Sequence, residues 1–219
     1  MNAVSYQSDY SRTHMKRINH LISYMVKYIK PQIKIGVIGY SVFDTYIRQK
    51  LPGLDVYNVV PKADFIGEEN AKKESIIVYD LTSNNIVEPS IELDIVVFTE
   101  VLEHLFADDS LIIENLSRLM KRDGLLFFSV PNISSFGKVL ALIIGQNPYM
   151  KKSEILSGVF GGYGHIREYS FREVRELLQN NFKIIKIQGW NDYPNIFGKI
   201  ARVLPRIYSQ TIFAICRKL

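Results

Sequence analysis

Six residues of this chain carry the side chains and spacing that chemistry needs. Thr99, Glu100, Glu103 and His104 fall within six positions of one another, directly after the apolar run Ile95-Val96-Val97-Phe98. His165 stands downstream in Gly164-His165-Ile166-Arg167-Glu168-Tyr169-Ser170, and Gly39 follows a separate apolar run, Ile33–Ile38. Histidine titrates near neutrality without help, so His104 and His165 are the candidate general bases. For each, the alternative role is a structural or substrate-contacting histidine. A glycine after a buried strand allows close approach of backbone to ligand, or simply a tight turn.

These groups must be positioned by the elements around them. The run from Asp94 to Asn132 reads as strand, helix, strand. Leu93–Phe98 is a buried strand; Ile112, Leu116, Leu119 and Met120 form one helical face; Asp123-Gly124 stops that helix; Leu125–Val130 is a second strand ended by Pro131. Fully apolar strands joined by a helix belong to a parallel sheet covered on both faces. Ligands of such sheets bind beyond the carboxyl ends of the strands, where the Thr99–His104 cluster and Pro131-Asn132 both fall.

The rest of the chain continues the pattern. Residues 11–30 read as an amphipathic helix with Ile18, Leu21, Ile22, Met25, Val26 and Ile29 on one face, ended by Pro31. Strands are expected at Ile33–Ile38, Asp55–Val60, Ile76–Tyr79, Phe182–Gln188 and Thr211–Arg217, with a short helix at Val42–Lys50. Ser170-Phe171-Arg172-Glu173 is a capping box that starts a late helix. Two irregular segments interrupt the order: the Gly-rich stretch 133–168, containing the apolar helical run Phe136–Ile144, and 190–209 with Trp190, Tyr193, Phe197 and Tyr208.

Composition bounds the class. The chain has 219 residues, 47% of them hydrophobic and 22% charged, which is ordinary for one globular domain with a sizeable core. The net charge of +5 allows an acidic substrate, an anionic membrane surface or nucleic acid, as well as a plain solvated surface. Cys216, the single cysteine, cannot form an intramolecular disulfide. No run of 18 apolar residues and no signal peptide is seen, from which a cytoplasmic protein is expected. No Cys/His metal spacing, nucleophile elbow or Walker loop occurs, so no metal is expected.

The run EVLEHL, a helix, and then RDGLLFFSVPN resembles the second half of a class I S-adenosylmethionine-dependent methyltransferase of the type 11/23 kind, and GHIREYS resembles the lead-in to a late helix in that group. The resemblance implies a three-layer, Rossmann-like α/β fold with a seven-stranded sheet, mostly parallel with an antiparallel last strand. It implies a methyltransferase domain over 31–219, with 133–168 and 190–209 as substrate-side insertions and 1–30 as a helical cover. By the same resemblance, Gly39, Tyr40, Ser41, Asp80, Leu81 and Glu100 would line the S-adenosylmethionine site. Methyl transfer to a small-molecule, sugar or lipid-linked acceptor follows. No Asn/Asp-Pro-Pro-aromatic run occurs, which speaks against a nucleic-acid acceptor. The Phe136–Ile144 run is either a lid over the acceptor or a patch for peripheral membrane contact beside Lys138, Lys151 and Lys152.

The first half departs from the family pattern. One glycine of the usual three remains, Val37 stands where an acid is expected, and Val60 holds the place of the ribose-binding acid. A hydrogen bond to a charged group contributes roughly 1.5–3 kcal/mol, so losing that contact predicts about 10- to 100-fold weaker cofactor binding. Asp64, Glu68 and Glu69 are the acids that follow this strand. The alternative function is a catalytically degenerate member of the fold that serves as a binding or scaffolding subunit.

Overall fold

The computed structural model describes residues 16–39, 42–62, 75–85, 88–149, 151–153, 164–191 and 204–219. Seven strands form one sheet: β1 (Lys34–Ile38), β2 (Asp55–Val60), β3 (Ile76–Val78), β4 (Leu93–Thr99), β5 (Met120–Pro131), β6 (Phe182–Trp190) and β7 (Thr211–Lys218). Their order is β3-β2-β1-β4-β5-β7-β6. The pairs from β3 through β5 are parallel, while β7 runs antiparallel to both β5 and β6. This is the expected Rossmann-like sheet with its last strand reversed. Between β1 and β4 the strand order changes direction, which opens a crevice at their carboxyl ends.

Alternation along the central strands supplies both faces. Ile95 and Val97 of β4, with Phe127 of β5, belong to one apolar cluster; Val96 and Phe98, with Leu126 and Phe128, belong to the other. The first cluster is covered by helix α1 (residues 16–25), whose Ile18, Leu21, Ile22 and Met25 are buried, and by Ile47 of α2 (Val42–Lys50). The second is covered by α3 (Asp109–Arg118) through Ile112, Ile113 and Leu116, and by α5 (Phe171–Leu178) through Val174 and Leu178. Helix α4 (Phe136–Ile143) lies between β5 and α5 in the chain and buries none of its residues. Among the described residues, no helix is long and apolar enough to cross a membrane.

Three boundaries differ from expectation. Within the described residues, the first helix gives way to a single 3₁₀ turn, Val26–Tyr28, and Ile29 is already extended, two residues ahead of Pro31. Helix α3 ends at Arg118 rather than at Asp123-Gly124, and Met120 is the first residue of β5 instead of a member of the helical face. The reason is local: Met120 pairs with Leu93 at the base of β4, and the register shifts before Leu125 pairs with Ile95. Asp123, at φ +63°, marks that irregularity rather than a helix stop. The capping box forms as read, with Ser170 Oγ accepting from the Glu173 amide and the Glu173 carboxylate accepting from the Ser170 amide.

Candidate functional site

Gly39 follows β1 at φ +82°, a left-handed conformation that side chains resist. Its amide donates to the Val59 carbonyl at 2.8 Å, and a Cβ built on it would meet nothing within 4 Å. The turn is therefore held from below, and among the described residues nothing crowds its Cα, as close approach of a ligand to the backbone would require. Tyr40 and Ser41 lie outside the described residues, as do Asp64, Glu68 and Glu69.

The end of β2 offers no acid among the described residues. Val60 is fully buried and Val37 nearly so, both as core members. A buried acid does occur nearby, on α2: Asp44 Oδ2 accepts from Asn58 Nδ2 at 3.2 Å. Burial raises the Asp44 carboxyl, with the Asn58 hydrogen bond working against that shift.

After β3, Asp80 is exposed and holds a turn, its Oδ1 accepting from the Thr82 amide at 2.8 Å and the Thr82 hydroxyl at 2.7 Å. Leu81 is buried in the second apolar cluster. Asn115 of α3 fixes this turn from behind, donating from Nδ2 to the carbonyls of Leu81 (3.0 Å) and Ser83 (2.9 Å). Sequence reading missed Asn115, although an amide on the apolar face of a helix is itself a signal that a backbone needs partners.

Glu100, the residue after β4, is held on three sides. Its amide donates to the Ser129 carbonyl at 2.9 Å, Ser129 Oγ donates to Oε1 at 2.8 Å, and the Arg17 guanidinium meets Oε2 at 2.9 Å. Glu100 sits at φ +55°, where a non-glycine residue is strained, and these three contacts hold it there. It does not cap the following helix: Asp108 does, accepting from the amides of Ser110 and Leu111. Arg17, 7% exposed, is a second residue that sequence reading missed. Its spacing from Leu21 places it on the buried face of α1.

The two histidines, 61 positions apart, come together. Segment 164–170 docks against the stretch after β4: the Ile166 amide donates to the Glu103 carbonyl (2.8 Å) and the Tyr169 amide to the Pro131 carbonyl (3.2 Å). The His104 and His165 rings then lie 5.1 Å apart, edge to face. His104 Nδ1 pairs with the Gly164 carbonyl at 3.2 Å, and His165 Nδ1 with Glu168 Oε1 at 3.0 Å. Lys138, from α4, binds the other oxygen of Glu168. Burial works to raise the Glu168 carboxyl, but its hydrogen bonds to His165 and Lys138 outweigh that and hold it below the usual range. Burial also lowers His104, against the pull of the Gly164 carbonyl, so its ring favours the neutral form.

Glu103 is the outlier of the group. It is 1% exposed, and neither carboxylate oxygen has a hydrogen-bond partner among the described residues. Burial and the neighbouring Glu100 together push its carboxyl well above the usual range. The Glu103 amide and the Arg17 guanidinium favour its charged form.

One cavity borders these residues and a second lies apart from them. The first, about 510 Å³, opens between the Leu102–Asp109 stretch and α5, bounded by Glu103, Asp109, Arg167 and Tyr169. The other, about 580 Å³, lies at the β6 edge against α1 and is lined by Lys16, His20, Tyr24, Lys186, Gln188 and Trp190. There Trp190 stacks on His20 at 3.7 Å, so its ring is already engaged within the protein. Tyr193 and Phe197 lie outside the described residues. Neither cavity is the crevice over Gly39, whose walls fall partly outside the described residues.

No protein-family model and no curated protein matches the sequence. Solved structures do. A SAM-dependent methyltransferase from Archaeoglobus fulgidus aligns at 16% identity and TM-score 0.63 over 97% of this chain and 99% of its own. Magnesium protoporphyrin IX methyltransferase from Synechocystis PCC 6803, with SAH bound, aligns at 17% identity and TM-score 0.61 over 100% and 89%. The N-methyltransferase NodS from Bradyrhizobium japonicum, also with SAH, aligns at 14% identity and TM-score 0.54 over 94% and 87%. The chain has the class I methyltransferase fold.

Proposed function

We propose that this protein is an S-adenosylmethionine-dependent methyltransferase acting on a small-molecule or lipid-linked acceptor. The observation that carries the reading is the turn at Gly39, left-handed and uncrowded among the described residues, at the point where this sheet's strand order reverses. Two of the similar structures hold SAH, the demethylated cofactor, in the same fold. The cofactor's sulfonium supplies the activated methyl group.

What the chain itself supplies is alignment and proton handling. Gly39 would let the backbone approach the nucleoside. Asp80 would accept from the adenine amino group, while Leu81, buried, would contribute through its backbone. Glu100, fixed in place by Ser129 and Arg17, would face the amino-acid end of the cofactor. His104 and His165 mark the acceptor side. A hydroxyl acceptor must lose a proton as the new bond to carbon forms, and a neutral imidazole can take it.

A second reading is favoured by one specific observation. Val37 and Val60 are packed into the core, so the acids usual at those places have no substitute among the described residues. A protein that keeps the fold for binding or scaffolding, without turnover, fits that pattern. Calorimetric titration with S-adenosylmethionine and with its demethylated product separates the two. Saturable binding, about 10- to 100-fold weaker than an acid-containing site would give, is expected. Absence of binding by either compound at millimolar concentration would sink the methyltransferase reading and leave the scaffold.

A further inference from the structure

We propose that Glu103, His104 and His165 form a binding site for a divalent first-row transition-metal ion. Each offers a ligand atom, and the three atoms lie within 4.8 Å of one another. Tetrahedral ligands at about 2.0–2.1 Å from zinc lie roughly 3.3 Å apart, so a small inward movement of the side chains completes the set. Two imidazoles and one carboxylate suit Zn²⁺, Mn²⁺ or Fe²⁺ better than Mg²⁺ or Ca²⁺, which prefer all-oxygen shells.

The surroundings point the same way. Metal-ligating histidines usually give their other ring nitrogen to a carbonyl or carboxylate, which fixes the tautomer and turns the lone pair inward. Both histidines here have such a partner on Nδ1: the Gly164 carbonyl for His104 and Glu168 for His165. Glu168 is in turn anchored by Lys138, which leaves Nε2 of each ring as the ligand atom.

Glu103 supplies the independent observation. Its side chain is fully buried, yet no described donor reaches either oxygen. The nearest cationic candidate among the described residues, His104 Nε2, stands 3.8 Å from Oε1, beyond hydrogen-bond reach. A buried carboxylate without a donor is costly, and a cation between it and the two imidazoles removes that cost. Three protein ligands leave coordination positions for water or for an oxygen of another molecule, and with the ion bound neither imidazole keeps a free nitrogen for the proton-accepting role given above.

The test uses the full chain, dialysed against EDTA, with neither cofactor nor acceptor present, so its outcome is independent of methyl transfer. Calorimetric titration with ZnCl₂ is expected to give one ion per chain, and CoCl₂ is expected to produce visible d–d absorption with the same stoichiometry. The double substitution His104→Ala/His165→Ala should weaken Zn²⁺ binding at least ~100-fold, with far-UV circular dichroism checking its fold. Glu168→Gln leaves all three ligands in place and should weaken binding about 10- to 100-fold through loss of the His165 partner. His20→Ala, a histidine remote from the site, should change nothing. No saturable uptake of either ion, or uptake that survives the double substitution, overturns the proposal.

Discussion

The carboxyl ends of β4 and β5 and those of β1 and β2 form two halves of one crevice, and they are built on different plans. On the β4–β5 side the backbone ends in polar groups that hold one another: Glu100 with Ser129 and Arg17, His104 with Gly164, His165 with Glu168 and Lys138. On the β1–β2 side the strands end in aliphatic residues packed into the core, Val37-Ile38 and Val59-Val60, and among the described residues the glycine turn is what this side offers a ligand. A polar network in a low-dielectric site is costly unless each member is satisfied. Keeping one on the β4–β5 side therefore needs many residues in register, whereas an apolar strand end needs only volume. The two halves are thus held by different forces, and they should break differently.

The largest effect is expected from restoring the missing acid. By analogy with the fold, Val60→Asp would recover the ribose contact, but Val60 is fully buried. An uncompensated charge there should cost roughly 3–5 kcal/mol of stability. Urea unfolding should show a much lower midpoint, and cofactor affinity should not rise. A stable Val60→Asp protein that binds S-adenosylmethionine more tightly would mean that the two halves are not so different.

Next comes the link between α1 and the polar half. Arg17→Ala removes the guanidinium from Glu100 while leaving the Ser129 hydroxyl, so the loss should be about 2–3 kcal/mol, somewhat below that of a fully buried pair. Glu100→Gln should cost less on its own, and in the Arg17→Ala background less again. Additive losses in that double-mutant cycle would deny the coupling.

This contrast explains what could be read from the sequence. Strands β2, β4 and β7 are legible because burial on both faces writes near-continuous apolar runs. The end of α3 is not, because Met120 satisfies a helical face and a strand pairing equally well, and the pairing with Leu93 decides it. His104 and His165 are legible one by one from residue type. Their meeting depends on segment 164–170 hydrogen-bonding to Glu103 and Pro131, a tertiary fact with no local signature. Arg17 and Asn115 are hidden for the opposite reason: each is a polar residue on a helix whose periodicity is defined by its apolar members.

A smaller effect concerns the acid that the β1–β2 side does bury. Burial raises the Asp44 carboxyl above its ordinary value despite the hydrogen bond from Asn58. A group raised in the folded state contributes stability below its unfolded pKa and loses it as pH rises through the folded value. Asn is neutral throughout and keeps an acceptor for Asn58. Asp44→Asn should therefore be more stable than wild type at neutral pH, with the gap closing in acid. Urea midpoints for both proteins across that range measure it, and a gap independent of pH would show that Asp44 is already charged and satisfied.

The smallest expected change is none at all, and it is the cleanest probe of the division. Cys216 of β7 lies between Leu126 of β5 and Ile184 of β6, fully buried, and burial pushes its thiol up to about 12. The thiolate is the reactive form, so a thiol reagent at neutral pH should label the native protein only through opening of the β5–β7–β6 edge. Asp44→Asn and loss of ligand at Gly39 act on the other half of the sheet, at β1 and β2, and should leave the labelling rate unchanged when opening is local. Arg17→Ala should raise it, because α1 packs on Phe127 of β5 and Phe213 of β7, the strand pair that holds Cys216. If all three changes moved the rate in proportion to global stability, Cys216 would be exposed only by complete unfolding. The sheet would then open as one unit, and the two halves of the crevice would differ in chemistry but not in mechanics.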